Sequence, residues 1–133
     1  MKKQYPLISV ITVSYNAVST IEDTILSVIN QTYPNIEYII IDGGSADGTV
    51  DIIEKYVDRI SYWVSEPDKG IYDAMNKGLK VANGDWAIFM GSDDVFFNNK
   101  VIMLVIERIL IPDNIYYGNV ILKTSHKLYP TSI

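Results

Sequence analysis

Ile36-Glu37-Tyr38-Ile39-Ile40-Ile41-Asp42-Gly43-Gly44-Ser45-Ala46-Asp47-Gly48-Thr49 decides the fold. Residues 36–41 (IEYIII) are mostly apolar and rich in β-branched side chains, the pattern of a strand buried on both faces of a parallel sheet. Residues 43–48 form a tight loop of glycine, serine, alanine and aspartate. Val50, Ile53 and Val57 then fall on one face of a helix. Strand, tight loop and helix in this order are the repeating unit of an α/β fold.

The same cycle is legible on either side. Residues 7–13 (LISVITV) predict a first strand, and Ser19-Thr20-Ile21-Glu22 reads as a capping box before a helix carrying Ile21, Ile25, Val28 and Ile29. Residues 60–64 predict a third strand that leads through Glu66-Pro67-Asp68-Lys69-Gly70 into a helix over 71–81, whose interior Gly78 weakens it. Asn83-Gly84 reads as a left-handed helix stop. Residues 86–90 (WAIFM) predict a fourth strand, 100–110 a fourth helix and 115–122 a further strand. Such alternation predicts right-handed crossovers and a mostly parallel sheet with helices on both faces.

Bulk properties narrow the function classes. The 133 residues suit one domain spanning 1–133, and no repeat or linker divides it. Zero cysteines exclude disulfides and thiolate metal sites. A formal net charge of -5 argues against a nucleic-acid partner, which calls for clustered Lys and Arg. Apolar runs are all far shorter than the ~20 residues of a membrane helix, and the short run after Met1-Lys2-Lys3 does not read as a secretory signal.

In a parallel α/β sheet, ligands bind outside the carboxyl ends of the strands. Those ends carry Ser14-Tyr15-Asn16, Asp42-Gly43-Gly44-Ser45, Glu66-Pro67-Asp68-Lys69-Gly70 and Gly91-Ser92-Asp93-Asp94. Carboxylates crowded on one rim raise each other's pKa unless a cation or hydrogen-bond donors compensate. Mg²⁺ or Mn²⁺ needs only one or two of them, with substrate phosphates completing the shell. The adjacent pair Asp93-Asp94 favours function over capping, whereas Asp42 and Asp47 read equally as functional groups and as cap or turn formers. Tyr15 reads as a stacking platform or as one of 10 tyrosines on an amphipathic surface. Asp73 and Asn76, a helical turn apart, face one cleft or solvent. Trp63 and Trp86 read as core, and His126 has no partner that sequence identifies.

In order and spacing, residues 9–16 (SVITVSYN), 31–37 (QTYPNIE), 41–49 (IDGGSADGT), 65–78 (SEPDKGIYDAMNKG), 82–85 (ANGD) and 91–94 (GSDD) resemble the N-terminal part of family-2 glycosyltransferases, above all bacterial enzymes of lipopolysaccharide, capsule and exopolysaccharide synthesis. The resemblance implies a GT-A (Rossmann-like) α/β fold of three layers, α/β/α, with the C-terminal part missing. It implies a hexosyltransferase-like, inverting enzyme that moves a sugar from a UDP-sugar to a saccharide or lipid-linked acceptor. By resemblance, Thr12, Ser14, Tyr15, Asn16, Asp42, Gly43, Asp68, Lys69, Asn76, Ser92 and Asp93 bind the donor. Tyr15 would stack on the base, Asp42 would accept its N–H, and Asp93 would contact ribose or sugar. Asp94 would ligate Mn²⁺ or Mg²⁺ on the two phosphates, so that aspartates 42, 93 and 94 converge on one cleft. Met75 and Gly91 depart from the pattern, standing where many relatives have an Arg and the first acid of an aspartate-rich motif.

The resemblance further implies a cytoplasmic protein at the inner face of the plasma membrane, compatible with peripheral membrane association and homo-oligomerisation. In such enzymes a second half carries the acceptor site and the general base. The expectation is therefore a truncated product or fragment that binds donor and transfers little sugar alone. Three rivals carry different signatures. A receiver-type phospho-acceptor domain needs its acid pair after the first strand, and a dinucleotide-binding domain needs Gly-x-Gly-x-x-Gly there. A non-catalytic sugar-nucleotide-binding module shares every motif named above.

Overall fold

The computed structural model describes residues 5–108, 119–121 and 128–130. Four strands, β1 (Ile8–Ser14), β2 (Ile36–Asp42), β3 (Tyr62–Ser65) and β4 (Trp86–Gly91), form a parallel sheet in the order β3-β2-β1-β4. Helices α1 (Ile21–Ile29), α2 (Thr49–Lys55) and α3 (Ile71–Val81) make the crossovers, and α4 (Val101–Arg108) follows β4. Ser14 pairs with Asp42 and Asp42 with Ser65, while Val13 pairs with Gly91, so the carboxyl ends of all four strands are level.

The alternation of side chains along each strand produces three layers. Ile8, Val10, Tyr38, Ile40 and Met90 pack with Ile21, Ile25 and Val28 of α1, Ile53 of α2 and Ile102 of α4. The opposite face offers Ile11, Ile39 and Ile41 to Ala74 of α3. Strand order reverses at β1: α1 and α2 step the chain outward through β2 to β3, and α3 returns it beneath the sheet to β4 on the other flank. Right-handed crossovers demand that opposite placement, and the reversal opens a crevice at the carboxyl end of β1.

Three expectations change on contact with the coordinates. Helix α1 starts at Ile21 with Thr20 as N-cap and no side-chain cap bond. Glu22 instead binds Lys55 at 2.6 Å and the Tyr56 hydroxyl at 2.6 Å, tying α1 to the end of α2 rather than closing a capping box. Gly84 is not a left-handed stop, since α3 ends on extended Ala82. A Cβ on Gly84 would meet the Ser9 amide nitrogen at 2.6 Å, so this glycine serves a close approach to β1. Of the strand expected over 115–122, β5 (Asn119–Ile121) lies within the described residues. It pairs antiparallel with β6 (Leu128–Pro130), outside the four-stranded sheet. Residues 109–110 of the expected fourth helix, and His126, lie outside the described residues.

Gly78 keeps its low helix propensity and is buried. A Cβ there would stand 2.6 Å from Ile11 Cγ2, and Ile11 is itself fully buried with no room to yield. Helix propensity favours Ala by about 1 kcal/mol, but overpacking a filled core costs about 1–3 kcal/mol. Gly78→Ala is therefore expected to destabilise the chain by up to about 2 kcal/mol on balance, read as a lower urea midpoint with unchanged slope.

Candidate functional site

The site begins with a buried charge. Asp42, the last residue of β2, has no solvent exposure. Its Oδ1 accepts from the Ser14 hydroxyl at 2.7 Å and the Ser45 hydroxyl at 2.6 Å. Its Oδ2 accepts from the amides of Gly44 at 3.1 Å and Ser45 at 2.8 Å, and from the Ser65 hydroxyl at 2.7 Å. Burial alone would push its carboxyl up, yet these donors outweigh burial and hold it below the ordinary aspartate value. The carboxylate expected to meet a base N–H is thus already engaged by donors of the chain itself.

Around this node the loops are stitched together. Asn16 adopts φ 47°, a left-handed conformation that asparagine tolerates. Its amide donates to Ser45 Oγ at 2.7 Å, and its Oδ1 accepts the Ala46 amide at 2.9 Å. Asp47 is a turn former, taking the amides of Val18 at 3.1 Å and Thr49 at 3.0 Å. The Gly43 amide donates to the Ser14 carbonyl at 2.8 Å, and the Glu66 amide to the Asp42 carbonyl at 3.0 Å. Lys77 Nζ holds the loop after β3 through Glu66 at 3.2 Å and the Pro67 carbonyl at 3.3 Å.

These loops enclose a cleft of about 510 Å³ lined by Val13, Ser14, Tyr15, Gly43, Pro67, Asp68, Gly70, Ile71 and Ala74. Tyr15 is 65% exposed at its wall. Asp68 Oδ1 accepts the Gly70 amide at 3.0 Å, and its carboxylate leans over Gly43, where a Cβ would stand 2.9 Å from Asp68 Oδ2. Of the residues singled out in the sequence, Ser14, Tyr15, Gly43 and Asp68 line this cleft together.

The others lie elsewhere. Thr12 is buried, its hydroxyl bonded to the Tyr38 hydroxyl at 2.8 Å, so only its backbone belongs near the site. Asn16 braces the loops. Asn76 is exposed on α3 and is not among the lining residues, and Asp73 accepts the Lys69 amide at 2.9 Å. Ser92, Asp93 and Asp94 sit past β4, on the other flank of β1 from Asp42, so the three aspartates share one sheet edge without sharing this cleft. There the Gly91 amide donates to Asp94 Oδ2 at 3.1 Å, and the Thr24 hydroxyl to the Asp94 carbonyl at 2.6 Å. Burial, aided by the charge of Asp93 and opposed by the Gly91 amide, raises the Asp94 carboxyl above its ordinary value. Among the described residues no group of three His, Cys, Asp or Glu is arranged to hold a metal alone. Ser65 and Thr24 were not singled out in the sequence because a lone hydroxyl carries no pattern; Ser65's place at a strand end was the available signal.

Residues 9–128 match the sequence model of the family described as Glycosyl transferase family 2. An uncharacterized glycosyltransferase of Mycobacterium tuberculosis is 42% identical over 105 residues, covering 78% of this chain and 40% of that protein. A putative teichuronic acid biosynthesis glycosyltransferase of Bacillus subtilis, TuaG, is 44% identical over 99 residues, covering 72% of this chain and 39% of that protein. The crystal structure of S. aureus TarS 1-349 in complex with UDP-GlcNAc superposes with a TM-score of 0.69 at 27% identity, covering 76% of this chain and 30% of that one. The chain thus spans about 40% of the length of the curated relatives it matches.

Replacing Asp42 by Asn leaves buried donors facing an amide, which costs about 2–3 kcal/mol for hydrogen bonds to a charged group. Because the folded pKa of Asp42 is depressed, its contribution is present above the ordinary value of 3.8 and is lost as pH falls through the lower, folded value. Chemical denaturation at neutral and strongly acid pH is expected to show a large penalty for Asp42→Asn at neutral pH that shrinks in acid.

Proposed function

The chain belongs to glycosyl transferase family 2, and from that premise we propose that its cleft receives the nucleoside of a UDP-sugar, with the diphosphate reaching across the end of β1 to Asp94. One observation carries the reading: an open cleft at the carboxyl end of β1, where strand order reverses, with a largely exposed tyrosine in its wall. Stacking on Tyr15 tolerates any base and contributes about 1–3 kcal/mol. The backbone of residues 12–14 borders the base, Asp93 lies toward ribose or sugar, and Ser92, Lys69 and Asn76 border the donor's path. Ser14 and Asn16 keep the Tyr15 loop in place through Asp42 and Ser45.

The residues past β4 fit a divalent cation. Asp94 is a half-buried carboxylate whose ionised form is penalised by burial and by Asp93, so a cation relieves it. A single protein carboxylate suits Mn²⁺ or Mg²⁺, which fill the remaining positions with phosphate oxygens and water. Such an ion, when bound, neutralises charge growing on the leaving nucleoside diphosphate. We further propose transfer, with inversion, to a saccharide or lipid-linked acceptor in bacterial cell-surface polysaccharide synthesis, in keeping with the putative teichuronic acid biosynthesis role of the similar TuaG. We assign that work to the cytoplasmic face of the plasma membrane. No helix among the described residues is long and apolar enough to cross one.

Calorimetric titration of UDP with and without Mn²⁺ tests the reading. Binding is expected to tighten with the metal, Asp94→Ala to abolish that gain, and Tyr15→Ala to weaken UDP about tenfold with the metal gain intact. Equal affinity with and without metal in the unaltered chain contradicts it.

A further inference from the structure

One side of α1 carries polar residues that nucleotide binding in the cleft does not use. Thr24, Ser27 and Gln31 are spaced three and four apart, so they share a face. Thr24 is fully buried, and Gln31, just past the helix end, is buried as well. A hydroxyl set among Ile21, Ile25 and Val28 costs free energy unless it is bonded, and its local option in a helix is the carbonyl four residues back. Thr24 instead donates to the Asp94 carbonyl at 2.6 Å, 70 residues along the chain. Ser27 Oγ accepts the Phe96 amide at 3.2 Å. Gln31 Nε2 donates to the Asn98 carbonyl at 2.6 Å, and its Oε1 accepts the Ile102 amide at 3.1 Å. The segment after β4, residues 94–102, is thus laid along α1 by the side chains at 24, 27 and 31.

The first of these bonds bears on the corner past β4. Asp94 is gripped on both sides of its Cα: its amide donates to the Gly91 carbonyl at 3.1 Å, and its carbonyl accepts from Thr24. Its Oδ2 accepts the Gly91 amide at 3.1 Å, which leaves Oδ1 with no hydrogen-bond partner among the described residues. The turn of residues 91–94 closes on itself, and the Thr24 bond ties it to a neighbouring helix. We propose that Thr24 is a positioning residue, whose hydroxyl fixes the peptide after Asp94 and so aims the free carboxylate oxygen at the divalent cation. The inference rests on the reading of Asp94 as the ligand of that cation. A cation held by one protein carboxylate depends on the placement of that single group. Thr24→Val keeps the shape and removes the hydroxyl, whereas Thr24→Ser keeps the hydroxyl and removes the methyl. Together they separate the bond from the packing.

Calorimetric titrations of UDP with and without Mn²⁺ into the unaltered chain, Thr24→Val and Thr24→Ser test this, with urea unfolding of each alongside. Metal-free UDP affinity is expected to be the same in all three. The tightening by Mn²⁺ is expected to fall about tenfold in Thr24→Val, the scale of losing a group that orients a metal ligand. In Thr24→Ser the tightening is expected to survive, although the loss of a buried methyl lowers the urea midpoint. Full tightening in Thr24→Val overturns the inference and leaves the donor reading standing. So does an equal loss in Thr24→Ser, which marks packing rather than the hydroxyl as the cause. If Thr24→Val does not fold, Ser27→Ala carries the test. It frees the Phe96 amide, two residues beyond Asp94, at a half-buried position where alanine favours the helix. Reduced tightening in that variant supports the inference, and full tightening overturns it. Absence of any tightening by Mn²⁺ in the unaltered chain overturns both readings.

Discussion

A carboxylate without solvent sits at the carboxyl end of β2, and the surrounding loops are built to keep it charged. An unpaired charge in that position would cost several kcal/mol, so the chain must bring donors to it. They come from β1 in Ser14, from the loop after β2 in Gly44 and Ser45, and from the end of β3 in Ser65. Three strand ends are thereby held level by one side chain. Asn16 and Asp47 then lock the loop after β1 to the loop after β2, and the cleft inherits their rigidity. Preorganisation of this kind lets a small unit bind a ligand without first ordering its walls.

The acidic residues at this sheet edge divide into different physical roles according to where their oxygens point. Asp42 is spent inward on structure and Asp47 on a turn. Asp68 leaves one oxygen open to the cleft, beside the glycine that makes room for it. Asp94, across β1, keeps a carboxylate whose charge the chain itself disfavours. Membership of glycosyl transferase family 2 gives this division a use. A nucleotide sugar has an aromatic base with a polar edge at one end and a doubly charged diphosphate at the other. On the proposed function, the cleft and the Asp93-Asp94 corner would divide two recognition tasks that need opposite electrostatics.

Much of this was legible in the sequence, and particular residues show where legibility stopped. The apolar runs after Leu7, at Ile36 and at Trp86 predicted buried parallel strands because β-branched side chains on both faces leave few alternatives. Each predicted strand stopped a residue early, at Val13, Ile41, Val64 and Met90. The last paired residues, Ser14, Asp42, Ser65 and Gly91, are not apolar and are held by register instead. Helix α3 matched its predicted limits, but the reason for Gly78 lay in Ile11, far away in the chain. At the site, strand-end position located Tyr15, Gly43 and Asp68. It did not show which aspartate faces inward, because that depends on hydroxyls contributed by two other strands and by the loop after β2. The capping-box pattern misled for a related reason, since Glu22 found a better partner in Lys55 of another helix.

The central claim is that the cleft beside Tyr15 and the corner at Asp94 hold two ends of one metal-bound nucleotide. Amide NMR spectra recorded with UDP and substoichiometric Mn²⁺ address it most directly, because paramagnetic broadening falls steeply with distance from the ion. The account predicts broadening centred on residues 91–94 that appears only with UDP present, together with shifts at Tyr15, Gly43 and Asp68. Broadening centred away from the carboxyl ends of the strands, or a cleft whose resonances ignore the nucleotide, would contradict it.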